Sequence, residues 1–363
     1  MADNSYAAAG VDTEAGDRAV ELMKSAVART MTPDVFGTMG GFAGMVDVSV
    51  LKDYKRPLLA TSTDGVGTKI AIAQAMDVHD TIGQDLVGMV VDDIVVVGAR
   101  PLLMTDYIAC GRVVPERIAD IVRGVAQACE AVGVPLLGGE TAEHPGVMAP
   151  DDYDIAGAAT GVVDADKILG PERVADGDVL LALAASGLHS NGFSLVRKIV
   201  SDAGWSLDRE VAEFGRTLGE ELLEPTRLYT KVCLDIAAAT EVHAYSHITG
   251  GGLGANMARV VPAGKLAVLD RGTWQVPAVF QVLVAQAGID WTDVEDTLNL
   301  GVGMVAALPE SSVEAATKIA QAAGIDAWVI GRVGGSEPEG AKVIQGTKGV
   351  DGGRVALVGN HRL

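Results

Sequence analysis

Apolar positions recur along this chain in two rhythms, one helical and one strand-like, and the two alternate. Val20, Met23 and Val27 share one face behind Asp12, a good N-cap, which predicts a helix over 12–29. A glycine-rich loop over 32–44 follows, carrying Gly37, Gly40, Gly41 and Gly44, and is expected to be mobile until a ligand arrives. Next come a strand over 58–62, a helix over 69–76, and a longer helix over 80–97 that Gly98 and Pro101 bring to a stop. A strand over 102–109 precedes a helix over 115–132, with Ile118, Ile121, Val122, Val125, Cys129 and Val132 at helical spacing. Pro115 opens that helix, Gly133 lies just past it, and a strand over 134–137 follows. The polar stretch 164–178, with Gly170-Pro171 and Asp176-Gly177, reads as a boundary. Beyond it the alternation restarts, with strands over 179–184, 242–248, 265–269, 302–308 and 327–330 and helices over 190–202, 253–261, 277–287 and 312–323. Residues 334–353 read as a loose excursion before a strand over 355–358. The pattern predicts an α/β (α+β) protein of two domains, 1–168 and 169–363.

Composition narrows the class. At 363 residues the chain is too long for one ordinary core, and 48% apolar with 4% aromatic residues suits a globular α/β protein. No apolar run is long enough for a bilayer, and residues 1–11 lack a basic region followed by an apolar segment, so no membrane partner and a cytoplasmic location are expected. Cys110, Cys129 and Cys233 are far apart and should be buried, reduced thiols. A net charge of -20 argues against a nucleic-acid partner. It also means that any phosphate site must rely on local cations, backbone N–H groups and bound divalent ions, which makes metal dependence an expectation.

The candidate chemistry starts at Ser62-Thr63-Asp64-Gly65-Val66-Gly67-Thr68-Lys69. The glycines let amide groups approach a polyphosphate, Asp64 can hold a hard cation, and Lys69 can neutralise charge. Spacing and order both differ from a Walker A loop, and an ordinary strand-to-helix turn is the alternative. Asp85 and Asp92 share a helix face, with Asp93 about 80° round from them. Asp92 and Asp93 either face solvent or need a partner or metal. Leu136-Leu137-Gly138-Gly139-Glu140-Thr141-Ala142-Glu143 is a second strand that runs into a glycine turn and a carboxylate.

The second half offers Ser186-Gly187-Leu188-His189-Ser190-Asn191-Gly192, which follows a strand and opens a helix as an anion site does. For His189 by itself, a satisfied structural histidine is the more frequent reading. Thr249-Gly250-Gly251-Gly252-Leu253-Gly254-Ala255, with Asp270 further on, imitates a dinucleotide fingerprint and is the rival reading. His243 and His247 lack the context of a zinc helix.

Five motifs in order, Thr63-Asp64-Gly65-Val66-Gly67-Thr68-Lys69, His79-Asp80-Thr81-Ile82-Gly83, Gly138 to Glu143, Ser186 to Gly192 and Thr249 to Gly252, resemble the phosphoribosylformylglycinamidine cyclo-ligases, or aminoimidazole ribonucleotide synthetases. Gly301-Val302-Gly303-Met304 fits the same family, and only residues beyond about 334 are unplaced. The resemblance implies an N-terminal ATP-binding domain whose sheet pairs across a homodimer, and a C-terminal α/β domain that contributes to the substrate cleft. It implies ATP-dependent ring closure of formylglycinamidine ribonucleotide, with ATP and Mg²⁺ as cofactors. Carried over by position, Asp64, Asp93 and Glu140 would hold cations, with Asp85 and Asp92 nearby. Lys24 and Lys69 would neutralise phosphate charge, and Gly40 and Gly41 would belong to a loop that closes over the nucleotide together with Gly138, Gly139 and Thr141. His189, Ser190 and Asn191, with Thr249, Gly250, Gly251 and Gly252, would face the ribonucleotide, and His189 would assist proton transfer. Asp92 stands where the family commonly shows Asn. A selenophosphate synthetase would need a reactive Cys or selenocysteine in the first glycine loop, which has none, and a non-catalytic nucleotide sensor is the alternative from another class.

Overall fold

The computed structural model describes residues 12–37, 41–347 and 351–363. The chain divides into two compact units, Met1–Ile94 with Ala99–Asp166, and Val95–Gly98 with Lys167–Leu363.

Unit 1 begins with helix α1 (Thr13–Thr30), whose N-cap is Asp12: its Oδ1 accepts from Ala15 N–H at 3.0 Å. A short ribbon, β1 (Val35–Phe36) with β2 (Met45–Val46), leads to β3 (Pro57–Gly65), α2 (Ile70–Met76), α3 (Thr81–Val95), β4 (Arg100–Cys110), α4 (Pro115–Val132), β5 (Leu136–Glu143) and β6 (Tyr153–Asp164). Pro115 opens α4 and Gly133 closes it in the left-handed region. The sheet order is β3-β6-β4-β5, antiparallel except for β4 with β5.

No strand was expected over 153–164, yet β6 is a central strand. Its strand-favouring side chains, Tyr153 and Ile155 at one end and Val162 and Val163 at the other, are separated by a run of small residues over 156–161 that blurs the strand pattern. Pairing on both sides, with β3 and β4, supplies what local propensity lacks. β5 also runs on through Glu143, so Gly138, Gly139 and Glu140 are strand residues rather than a turn. Leu86 and Met104 lie against Gly157 on the face of the sheet that α3 covers. Leu59 and Tyr107 stand on the opposite face, 66% and 42% exposed.

Unit 2 has a seven-stranded sheet, built from β7 (Val179–Ala184), β10 (Ala244–His247), β11 (Leu266–Asp270), β12 (Val302–Leu308), β13 (Ala327–Val333), β14 (Lys342–Gln345) and β15 (Arg354–Val358), in the order β10-β12-β7-β13-β11-β15-β14. A ribbon of β8 (Glu210–Val211) and β9 (Arg216–Thr217) stands apart from it. The helices are α5 (Phe193–Asp202), α6 (Leu218–Leu222), α7 (Thr230–Ala239), α8 (Gly252–Val260), α9 (Ala278–Ala287), α10 (Trp291–Val294) and α11 (Glu310–Ala322). One core cluster joins Leu180 and Ala182 of β7 to Leu253 and Met257 of α8. The other joins Leu181 and Leu183 to Val232 and Ile236 of α7 and Ala316 of α11, so alternate β7 residues feed opposite faces, as the pleat requires. The stretch expected as a loose excursion carries β14, which pairs antiparallel with β15 while β15 pairs parallel with β11. Helices α6 and α7 also had no counterpart in the sequence pattern. All three cysteines are buried and free.

Candidate functional site

In unit 1 the sheet register sorts the acids. Asp64, Gly157, Asp106 and Gly139 form one cross-strand row, while Gly65, Ala156, Tyr107 and Glu140 form the next. Successive rows point to opposite faces, so Asp64 and Glu140 are directed away from each other. They also stand three strand spacings apart, roughly 14 Å, and one ion cannot be shared between them within a chain. Among the described residues, no group of three or more His, Cys, Asp and Glu side chains is arranged around a common metal position. Asp64 is half-buried, with Oδ1 accepting from the Gly65 N–H at 2.7 Å, and Glu140 is exposed.

Helix α3 divides the remaining acids. Asp85 and Asp92 are fully buried and Asp93 is exposed, so the solvated-face alternative holds for Asp93 and fails for Asp92. Lys69 is fully buried with Nζ 2.9 Å from the Asp85 carboxylate. Its charge is engaged inside the protein in this conformation. Such a pair is costly to desolvate and costlier to break, since the survivor is left as a lone buried charge. Lys24 is exposed on α1 and pairs with Glu21. Gly41 is exposed, Gly40 lies outside the described residues, and Gly138, Gly139 and Thr141 lie along β5.

Sequence reading missed Asp106. It occupies an inward position on β4 among Leu102, Met104, Ile108 and Cys110, and that alternation is the signal that could have found it. Its Oδ1 fills the space beside Gly139, where an added Cβ would fall 1.8 Å away. Burial pushes the Asp106 carboxyl up to about 7.

In unit 2 two glycine loops come together. Asn191 Oδ1 lies 3.3 Å from the Cβ position of Gly250, which puts the loop over 186–192 beside the loop over 249–252. Gly192 and Gly251 take left-handed conformations as N-caps of α5 and α8, so both helices begin at these loops. His189 is buried with φ at 58°, an uncommon conformation for a side chain with a Cβ. Its Nε2 accepts from the Ser186 N–H at 3.2 Å, which assigns the proton of the neutral ring to Nδ1. Tyr229 stands between His189 and His247 at ring distances of 6.0 and 6.4 Å and donates to Ala184 O at 2.8 Å. Ser190 is buried, and Asn256 Nδ2 donates to Thr249 O at 3.1 Å and to Gly252 O at 2.8 Å, so α8 braces its own leading loop.

The dinucleotide reading fails on topology. The strand before the loop, β10, lies at a sheet edge and is antiparallel to its neighbour β12, with three strands between it and β11. Asp270 instead caps the next turn, accepting from Gly272 N–H at 2.8 Å. A dinucleotide site needs adjacent parallel strands flanking the loop.

Two family models match the chain, AIR synthase related protein N-terminal domain over residues 45–163 and C-terminal domain over 175–344. A phosphoribosylformylglycinamidine cyclo-ligase of Shouchella clausii is 49% identical over 331 residues, 91% of this chain and 96% of that one. One of Brevibacillus brevis is 48% identical over 335 residues, covering 92% and 96%. Among solved structures, a thiamine-monophosphate kinase from Stenotrophomonas maltophilia shares the fold, with a TM-score of 0.65, 18% identity and coverage of 92% and 95%. The hydrogenase maturation protein HypE in complex with ATP gives a TM-score of 0.63 at 20% identity, covering 99% and 98%. With near-half identity sustained across almost the full length of both chains, and both domain models in order, this chain belongs to the phosphoribosylformylglycinamidine cyclo-ligase family of enzymes.

Proposed function

We propose that the protein closes the imidazole ring of aminoimidazole ribonucleotide from formylglycinamidine ribonucleotide, using ATP and releasing ADP and phosphate. The observation that carries this reading is the 49% identity to a cyclo-ligase over 91% of the chain. The chemistry accounts for the need for ATP. A formamide oxygen is a poor leaving group, so transfer of the γ-phosphoryl group to it gives an iminophosphate. The neighbouring amidine nitrogen attacks the formyl carbon, the new C–N bond forms, the C–O bond breaks with the electron pair leaving on phosphate, and a proton is lost. Positioning and charge stabilisation do most of the work in such a transfer.

Asp64 and Asp93 on one side of the sheet, and Glu140 on the other, are assigned to cations accompanying the triphosphate. Their oxygen donors suit Mg²⁺, which takes one or two carboxylates and completes its shell with phosphate and water, so separated acids fit it better than a three-carboxylate cage would. When bound, the ion neutralises charge on the transferring group. Lys24 and the loop containing Gly40 and Gly41 are assigned to the nucleotide, with Gly138, Gly139 and Thr141 beside them. Lys69 and Asp92 support that side from within the helix layer. His189, Ser190 and Asn191, with Thr249 to Gly252, are assigned to the ribonucleotide, where helix N-termini and amide groups favour a phosphate. His189 holds a proton at Nδ1 and is suited to proton exchange during ring closure. The exposed sheet face bearing Leu59 and Tyr107 is assigned to pairing with a second copy. A cytoplasmic location belongs to the same reading.

The test is ADP release with Mg²⁺ and ATP, with and without formylglycinamidine ribonucleotide, alongside assay of the aminoimidazole product. ADP and product formed together, only with both substrates, support the reading. ATP binding without product overturns it. Asp64→Asn is expected to lower kcat by more than about a hundredfold with the fold intact, and an active variant removes Asp64 from the site.

A further inference from the structure

Residues 295–299, which follow α10, touch both glycine loops of unit 2. A Cβ at Gly252 would fall 1.8 Å from Glu295 O, and one at Gly192 would fall 2.2 Å from Leu298 Cδ2. Asn299 Nδ2 donates to Gly187 O at 3.0 Å. The strap therefore meets the loop over 249–252 at one end and the loop over 186–192 at the other, with no slack at either contact.

The strap is anchored through its first side chain. Glu295 is 4% exposed and takes a bidentate pair from Arg271, with Nε and Nη2 each at 2.7 Å. His361 Nε2 lies 3.2 Å from the same carboxylate, and Lys342 Nζ lies 3.3 Å from it while also bonding Asp296 at 2.8 Å. Burial alone would raise this carboxyl, but the Arg271, His361 and Lys342 partners hold it at about 2. His361 packs against Trp274 and Trp291. Its Nδ1 has no hydrogen-bond partner among the described residues, and the ring borders a cavity of about 10 Å³, room for a single water. His361 lies beyond residue 344, where the match to the C-terminal family model stops.

We infer that Glu295 and His361 are positioning residues, which fix the strap over 295–299 and through it the spacing of the two loops that take the ribonucleotide. The inference rests on the assignment of those loops to that substrate. No residue of the hub needs to touch the substrate. The buried pair keeps the Glu295 backbone against Gly252, and the segment ending in His361 acts as the brace behind it.

His361→Leu keeps the apolar packing between the tryptophans and removes the donor, whereas His361→Gln keeps an amide N–H at a similar reach. The Leu variant is expected to raise KM for formylglycinamidine ribonucleotide about tenfold, with kcat and KM for ATP within about twofold, and the Gln variant to restore KM to within about threefold of the parent. Hydrogen exchange is the second readout. Amides of 186–192 and 249–252 should exchange at least about tenfold faster in the Leu variant, with β7 and β12 unchanged. Unchanged loop exchange, or faster exchange spread equally over the strands, overturns the inference. If the parent protein does not turn the ribonucleotide over, the functional reading falls while loop exchange still decides the positioning claim. Should His361→Leu fail to fold, Lys342→Met at the rim of the hub is read in the same two ways.

Discussion

Asp106 illustrates how much a single position depends on its neighbours across a sheet. The sequence shows an acid in a strand, but only the register sets it beside Gly139, where the missing side chain leaves room for its carboxylate. Because burial raises its folded value from 3.8 to about 7, the folded state favours the neutral acid. Its contribution is fully present below about pH 3.8 and is lost as pH rises toward 7. Asp106→Asn is therefore expected to raise the melting temperature at pH 8 and to change it little at pH 4, by about 2–4 °C for each kcal/mol relieved. Thermal unfolding at the two pH values is the check, and a lower Tm at pH 8 would mean the charge is stabilised in the fold. Lys69 shows the reverse case. Its place at the end of a phosphate-type motif was legible, but its engagement by Asp85 sixteen residues on was not, because that contact forms only when α3 packs over the sheet.

At the scale of elements, helices and strands alike were unevenly legible. Helix α4 carries its apolar stripe, its opening Pro115 and its closing Gly133 within one stretch of sequence. β6 has its strand-favouring residues split by a small-residue run over 156–161, and β3 and β4 hold it on both sides. β14 was hidden for the same reason, as its partner is the later strand β15. The hub behind the unit 2 loops predicts a bounded pH window. Glu295 has a folded value of about 2 against 4.5 when unfolded, so its stabilisation is present above about pH 4.5 and is lost as pH falls toward 2. His243 works from the other side. Burial lowers its basicity, but the Asp178 and Glu241 carboxylates more than offset this and raise it above 6.5, so its stabilisation is present below 6.5 and fades as pH climbs through the folded value. Unfolding of unit 2 should be hardest between these limits, and Glu295→Gln should flatten the acid limb of a Tm-against-pH profile while leaving the limb near neutrality. An unchanged acid limb would remove Glu295 from that role.

For the molecule as a whole, two features act together. A net charge of -20 makes nucleic-acid binding unfavourable and demands cations wherever phosphate is held. The sheet of unit 1 presents Leu59 and Tyr107 on one face, an arrangement that a second copy would cover. Leu59→Asp is accordingly expected to shift the mass in solution from dimer to monomer without loss of helical or strand signal. Light scattering with circular dichroism decides it, and a monomeric parent protein removes the pairing assignment.

Sequence alone determined the alternation of elements, the ends of the best helices, the glycine loops and the family, because each depends on residues close together in the chain or on motifs in fixed order. Tertiary structure alone decided that Asp64 and Glu140 point to opposite faces, that Lys69 is spent on Asp85, and that residues 295–299 bridge two loops. Those facts depend on strand order, on pleat and on helix packing. These are set by burial shared among distant segments, and no local window of sequence contains them.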